Sequence, residues 1–323
     1  MNFATAFALY VALTGVYSKD DSSKTLFKKR RRSSKFYLAL GDSVPAGTRD
    51  TDPGAGISSP FGEINYPNIF NQLLGKRGFD QVINLSCPAD STETMLDGNK
   101  GTKLYPNGSL CYGDDPPLLP TLNLGGYTSS QLDAAKYILA NYNIELVTIT
   151  LGSNDLIKSC VQTGATGDAF TACASKQYNV VKLNLKSILD ELLSLDTSII
   201  ILVSNYYSPF LGFQLPGTPS FLKHNAPLYI QATLGMNDSI ASVVESYPGK
   251  NVGLVDLESA FDSRDDSGTT LPENVVTICQ TTYMCGKDEY NNWIYGTPNA
   301  DIHPNRRGHN KIAKTIYKIY KEM

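Results

Sequence analysis

The sequence predicts an α/β fold in which a parallel sheet of about five strands is covered by helices on both faces. Three observations lead there. Short apolar runs recur along the chain and read as buried strands. Longer stretches of helical character separate them, and strict strand–helix alternation builds a parallel sheet with right-handed crossovers. The chain of 323 residues, 41% hydrophobic and 18% charged, has the composition of a globular domain that buries one large core.

Taken in order, residues 1–34 read as leader and linker, because an apolar stretch gives way to Ser, Asp, Lys and Arg without periodicity. Phe3 to Val16 is too short to span a bilayer and suits the core of a signal peptide. The basic run Lys28-Lys29-Arg30-Arg31-Arg32 follows this stretch instead of preceding it, which by the positive-inside rule favours keeping that side in the cytosol. The cysteines argue for export, and a removed leader with a short pro-segment cut near the basic run reconciles the two. A solvated basic tail is the alternative.

A single domain is expected over 35–323. Its strands are Phe36 to Leu40, Val82 to Leu85, Leu146 to Leu151, Ile199 to Val203 and Val252 to Leu257. Its helices are Asn68 to Lys76, Ser130 to Tyr142, Tyr178 to Leu195, Leu228 to Ser246 and Arg307 to Lys321. The segments 44–65, 97–127, 205–224 and 262–300 read as loops or insertions. In such sheets ligands bind at the C-terminal ends of the strands.

A net charge of -3 gives no basic excess to draw the chain to phosphate backbones, so no nucleic-acid partner is expected. The six cysteines are Cys87, Cys111, Cys160, Cys173, Cys279 and Cys285, with no C-x-x-C pair and no nearby His cluster, which disfavours zinc. They fall into three local couples, each flanking a loop. Disulfides in an oxidising, extracytoplasmic compartment are the better reading, against six buried thiols, and composition alone leaves the pairing open.

Three blocks carry chemistry. Gly41-Asp42-Ser43 follows the first strand, where a parallel sheet presents its site, and Gly41 and Gly47 permit a tight turn. A Ser capping the next helix is the plain alternative. Gly152-Ser153-Asn154-Asp155 closes the third strand, so Asn154 can aim a side-chain N–H at the same space, or it and Asp155 merely cap a helix. Asp301-Ile302-His303-Pro304-Asn305 lies just before the last helix and holds one of only three His residues. His224 and His309 carry no motif and read as surface or loop residues. Asp42 reads as structural. No Walker loop, H-E-x-x-H, complete G-x-G-x-x-G or G-x-S-x-G elbow competes, so no cofactor and no metal are expected.

Together, in this order, the blocks resemble the SGNH (GDSL-type) hydrolases. The segments "FYLALGDSVPAG", "VINLSCPADSTETMLDG", "LVTITLGSNDLIKSC", "TICQTTYMC" and "DIHPNRRGHNKIA" are similar to successive landmarks of the bacterial-type secreted members, from about 36 to 320. The resemblance implies a flavodoxin-like three-layer α/β/α sandwich and a metal-independent serine mechanism on esters. It places Ser43 as nucleophile, His303 as base and Asn154 as oxyanion-hole side chain, with the N–H of Ser43 as a second donor. The third donor is a Gly N–H in the family, and here the position is Ala89, which puts the backbone geometry in question if φ must be positive. Together with the local couples it implies the bridges Cys87–Cys111, Cys160–Cys173 and Cys279–Cys285.

The carboxylate that orients the base commonly sits three residues before it, where this chain has Ala300; Asp301, two before, is the candidate, with the Ala300 carbonyl as alternative. The expected function is cleavage of carboxylic esters of acyl lipids or small esters by a secreted monomer, with transient contact to a lipid interface. The segment 206–221 is apolar enough to line an acyl pocket. Rivals are an acetyl esterase acting on polysaccharide, with loops 105–127 and 283–295 stacking on sugars, and a catalytically silent secreted binding domain.

Overall fold

The structure is a computed structural model that describes residues 34–48, 64–98, 130–263, 272–296 and 300–323. The expected leader and basic run at 1–33, most of the loops 44–65 and 97–127, and Cys111 fall outside these residues.

Each predicted strand forms. β1 is Phe36–Gly41 and runs directly into α1, Ser43–Ala46. After α2, Tyr66–Leu74, comes β2, Gln81–Asn84. Then follow α3, Thr92–Asp97, α4, Gln131–Asn141, and β3, Ile144–Thr150. A turn of helix α5, Ser153–Leu156, continues as a π-helical turn Ile157–Val161 and leads to the long α6, Gly167–Leu195. β4, Ile200–Ser204, is followed by a 3-10 helix at Pro209–Gln214 and by α7, Ser220–Glu245. β5, Val252–Val255, and α8, Leu257–Ala260, complete the wound part. The remainder holds α9, Pro272–Thr281, the short strands β6, Thr282–Tyr283, β7, Cys285–Lys287, β8, Trp293–Tyr295 and β9, Asp301–Pro304, and α10, Arg306–Glu322.

The main sheet has the order β2-β1-β3-β4-β5 with every pair parallel, the flavodoxin-like winding. Its strands are nearly continuous apolar runs because both faces are covered. α3, α4, α6 and α7 pack among themselves on one side, and α2 packs with α10 on the other. Leu38, Leu40, Val147, Ile149, Ile201 and Val203 are fully buried between the layers. No helix among the described residues is long and apolar enough to cross a membrane.

Several expectations need correction. The segment 262–300 is no plain loop: it contains α9, the antiparallel pair β7–β8, and β6, which pairs with β9 just beyond it. These strands are two to four residues long, too short for an alternation of apolar residues to register. α6 begins eleven residues before Tyr178, and α7 begins before Pro227 rather than after it. Pro227 and Lys223 both lie on the exposed side of α7, so the carbonyl that loses its donor faces water and the helix survives the proline.

Most of the apolar side chains of the segment 206–221 are packed into the core. Tyr206, Tyr207, Phe210, Leu211, Phe213 and Leu215 are at most 9% exposed, whereas Phe221, at 65%, faces solvent. Phe210 and Phe213 pack their rings on Tyr229 of α7. His309 is also no surface residue. It is 2% exposed on the inner stripe of α10, with Gly308, Ile312, Ala313 and Ile316. That i, i+3, i+4, i+7 spacing is the sequence signal that places it inside.

Two disulfides form as expected, Cys160–Cys173 and Cys279–Cys285, both between near neighbours in sequence. The expected Cys87–Cys111 pair involves a residue outside those described.

Candidate active site

β1 delivers the first component. Gly41 has a φ of 132°, and a β-carbon there would sit 2.0 Å from the Thr150 carbonyl oxygen, so β1 can end against β3 only on a glycine. The chain then turns into α1. Asp42 caps that turn by accepting the Val44 N–H at 2.9 Å, which leaves Ser43 at the first helical position, above the sheet.

The second component comes from the far end of the chain. Ser43 Oγ donates to His303 Nε2 at 2.7 Å, and His303 Nδ1 donates to Asp301 Oδ1 at 2.6 Å. Ser43 and His303 are 260 residues apart in sequence. Asp301 and His303 are 3% and 4% exposed, so this hydrogen-bonded pair is held away from water. The orientation of Asp301 follows from β9: residues two apart on a strand point to the same side. Asp301 Oδ1 also accepts the His303 backbone N–H at 2.9 Å, which locks the carboxylate under the ring. The alternative partner, the Ala300 carbonyl, is not needed to explain the ring's orientation.

The segments expected to carry oxyanion donors are tied to each other. Gln131, at the start of α4, accepts the Gly41 N–H at 2.6 Å and donates to the Asp90 carboxylate at 2.7 Å. The Cys87 N–H donates to the Gly41 carbonyl at 2.8 Å. Asn154 donates one side-chain N–H to the Asp90 carbonyl at 2.9 Å, and an amide carries a second. Lys158 donates to the Ala89 carbonyl, and burial lowers its ammonium pKa. Ala89 itself has a φ of 66°, so the position does require the left-handed backbone that favours glycine.

Asp42 and Asp155 are both buried carboxylates of these turns. Burial pushes the Asp42 carboxyl up, opposed by hydrogen bonds from Tyr206 at 2.5 Å, from Val44 and from Ser153 at 3.2 Å. Burial likewise pushes Asp155 up to about 6 against the Thr92 N–H at 2.9 Å and hydroxyl at 2.6 Å. Neither touches His303 by a hydrogen bond, in keeping with the structural reading of Asp42. The tyrosines Tyr206 and Tyr207, read from sequence only as part of an apolar segment able to line an acyl pocket, reach both halves of this arrangement. No spacing rule announces them, because their partners lie on other elements.

The class defined by this fold and arrangement is a flavodoxin-like α/β domain with a serine–histidine–aspartate relay at the C-terminal end of its sheet. The chain belongs to the GDSL-like lipase/acylhydrolase family, which it matches over residues 37–316. Among solved structures it is similar to an extracellular lipase from Streptomyces rimosus, with 15% identity, 89% of this chain and 99% of that one covered, and a TM-score of 0.50. A phospholipase A1 from Streptomyces albidoflavus is also similar, at 16% identity, with 89% and 99% covered and a TM-score of 0.46. So is a catalytic mutant of an acetylxylan esterase from Geobacillus stearothermophilus, at 14% identity, with 88% and 93% covered and a TM-score of 0.45. No curated protein matches the chain in sequence.

Proposed function

We propose that the protein is a secreted serine hydrolase of carboxylic esters, with Ser43 as nucleophile, His303 as general base and Asp301 as the carboxylate that orients it. The observation that carries this reading is the continuous Asp301–His303–Ser43 relay, 2.6 and 2.7 Å long, assembled from opposite ends of the chain. Ser43 Oγ attacks the ester carbonyl as its proton passes to His303 Nε2. The tetrahedral oxyanion is received by the N–H groups of Ser43, Ala89 and Asn154, each such donor being worth about 10²–10³ in rate. His303 returns the proton to the leaving alcohol, and the acyl-enzyme is then cleaved by a water that His303 deprotonates in turn. The two disulfides support export to an oxidising compartment.

The substrate favoured is a carboxylic ester of an acyl lipid or a small soluble ester. A second reading, removal of acetyl groups from polysaccharide, gains support from the burial of Tyr206 to Leu215, which leaves little of this most apolar segment exposed. Turnover of aryl esters of graded chain length beside acetylated xylan decides between them. The mechanism itself is tested by Ser43→Ala, for which hydrolysis is expected to vanish while the folded protein persists. Substantial remaining turnover would sink it.

A further inference from the structure

We infer that Tyr206 and Tyr207 are positioning residues that set the distance between the nucleophile and its base; the inference rests on the roles proposed for Ser43 and His303. Ser43 and His303 arrive on separate elements, and their 2.7 Å contact holds only if the α1 turn and β9 keep a fixed separation. The residue directly before each of them is held by one of two adjacent tyrosines. Tyr206 donates its hydroxyl to Asp42 Oδ2 at 2.5 Å, and Tyr207 donates its hydroxyl to the Ile302 carbonyl at 2.8 Å. A single dipeptide therefore spans from the nucleophile turn to the base strand.

The dipeptide is itself immobilised. Asn237 of α7 accepts the Tyr206 N–H at 2.9 Å and donates to the Tyr206 carbonyl at 2.7 Å, and its amide also donates to the buried Glu258 carboxylate at 2.6 Å. Asn205, the preceding residue, accepts the Leu257 N–H at 2.6 Å. The Tyr207 ring stacks on Phe261 with centroids 4.5 Å apart and planes 16° from parallel. Both tyrosines are about as buried as the core leucines around them, at 5% and 4% exposure, so their hydroxyls must be hydrogen-bonded and their rings cannot swing away. Neither hydroxyl has a hydrogen bond to Ser43 or His303, and each works through the backbone or the carboxylate that carries the reacting residue.

The test uses Tyr207→Phe and Tyr206→Phe, which delete one hydroxyl each and keep the ring, beside Ser43→Ala in the full chain. With a short-chain aryl ester, each Phe variant is expected to lose about ten- to a hundred-fold in kcat with KM within about two-fold, since a small misplacement of reacting groups is costly. Melting temperature should stay within a few degrees of wild type. The low-field proton resonance of His303 Nδ1 should shift or broaden in Tyr207→Phe, a response that lost packing elsewhere would not produce. Wild-type kcat with an unaltered low-field proton in Tyr207→Phe overturns the inference, as does a kcat loss fully accounted for by unfolding at the assay temperature. Should Tyr206→Phe melt below that temperature, Tyr207→Phe alone decides. If Ser43→Ala is inactive while Tyr207→Phe behaves as wild type, only the positioning role falls; if Ser43→Ala still turns over, the proposed function falls.

Discussion

At position 89 the chain places a β-carbon where the backbone has a φ of 66°, a conformation that costs an L-residue roughly 1–2 kcal/mol. The turn is held there by the Lys158 ammonium on its carbonyl and by the Asn154 and Gln131 bonds to Asp90. Ala89→Gly should therefore raise stability by up to about 1 kcal/mol, the gain being reduced by the greater chain entropy of unfolded glycine. Urea unfolding measures it, and a clear loss would show that the turn is unstrained. For Asp301, Asp301→Asn keeps the shape but removes the charge that stabilises the imidazolium and fixes its tautomer, so kcat is expected to fall about 10³-fold in a folded protein. Near-wild-type turnover would transfer the role to the Ala300 carbonyl. Ser43 and His303 could be found in the sequence because each closes a motif at an element boundary. The direction of Asp301 could not, because it depends on whether 301–304 is strand or turn, and only pairing with β6 decides that.

Among the elements, the five strands were legible because parallel strands buried on both faces leave unbroken apolar runs, as in Leu146 to Leu151. α9 and the two small antiparallel pairs were not, since they draw their stability from neighbours and a disulfide instead of a repeating pattern. The Cys160–Cys173 bridge plays a comparable part beside the site. It staples the π-helical turn that bears Lys158 to the first turns of α6. Closing loops of 13 and 6 residues should contribute about 2–3 kcal/mol each on the chain-entropy account, slightly more for the longer. The double variant Cys160→Ser/Cys173→Ser is expected to lose roughly 3 kcal/mol in urea unfolding. A loss near zero would mean that the packing of Phe170 and Ala174 holds this segment without the bridge.

For the whole molecule, two buried groups tilt stability with pH in opposite directions. Asp155 is pushed up to about 6 by burial, above its unfolded value, so its contribution is fully present below about pH 4 and lost as pH rises through about 6. That loss is on the order of 3 kcal/mol. His309 is pushed down to about 3 by burial, with a smaller effect from His303, so its contribution is present above about pH 6.5 and drains away as pH falls. Relative to wild type, Asp155→Asn should gain stability from pH 4 to pH 7, and His309→Gln should gain it in the reverse direction. Melting temperatures of the three proteins at both pH values check the signs, and parallel shifts would show that other groups dominate. Ser43 and His303 are 260 residues apart, and all of that chain must be synthesised between them. A ribosome adding about 5–20 residues per second needs roughly ten seconds to a minute to travel from one to the other. On the proposed mechanism the serine would have no base throughout that interval, so the emerging chain would not yet cleave esters. On that mechanism competence would arrive only once β9 and α10 had emerged and docked.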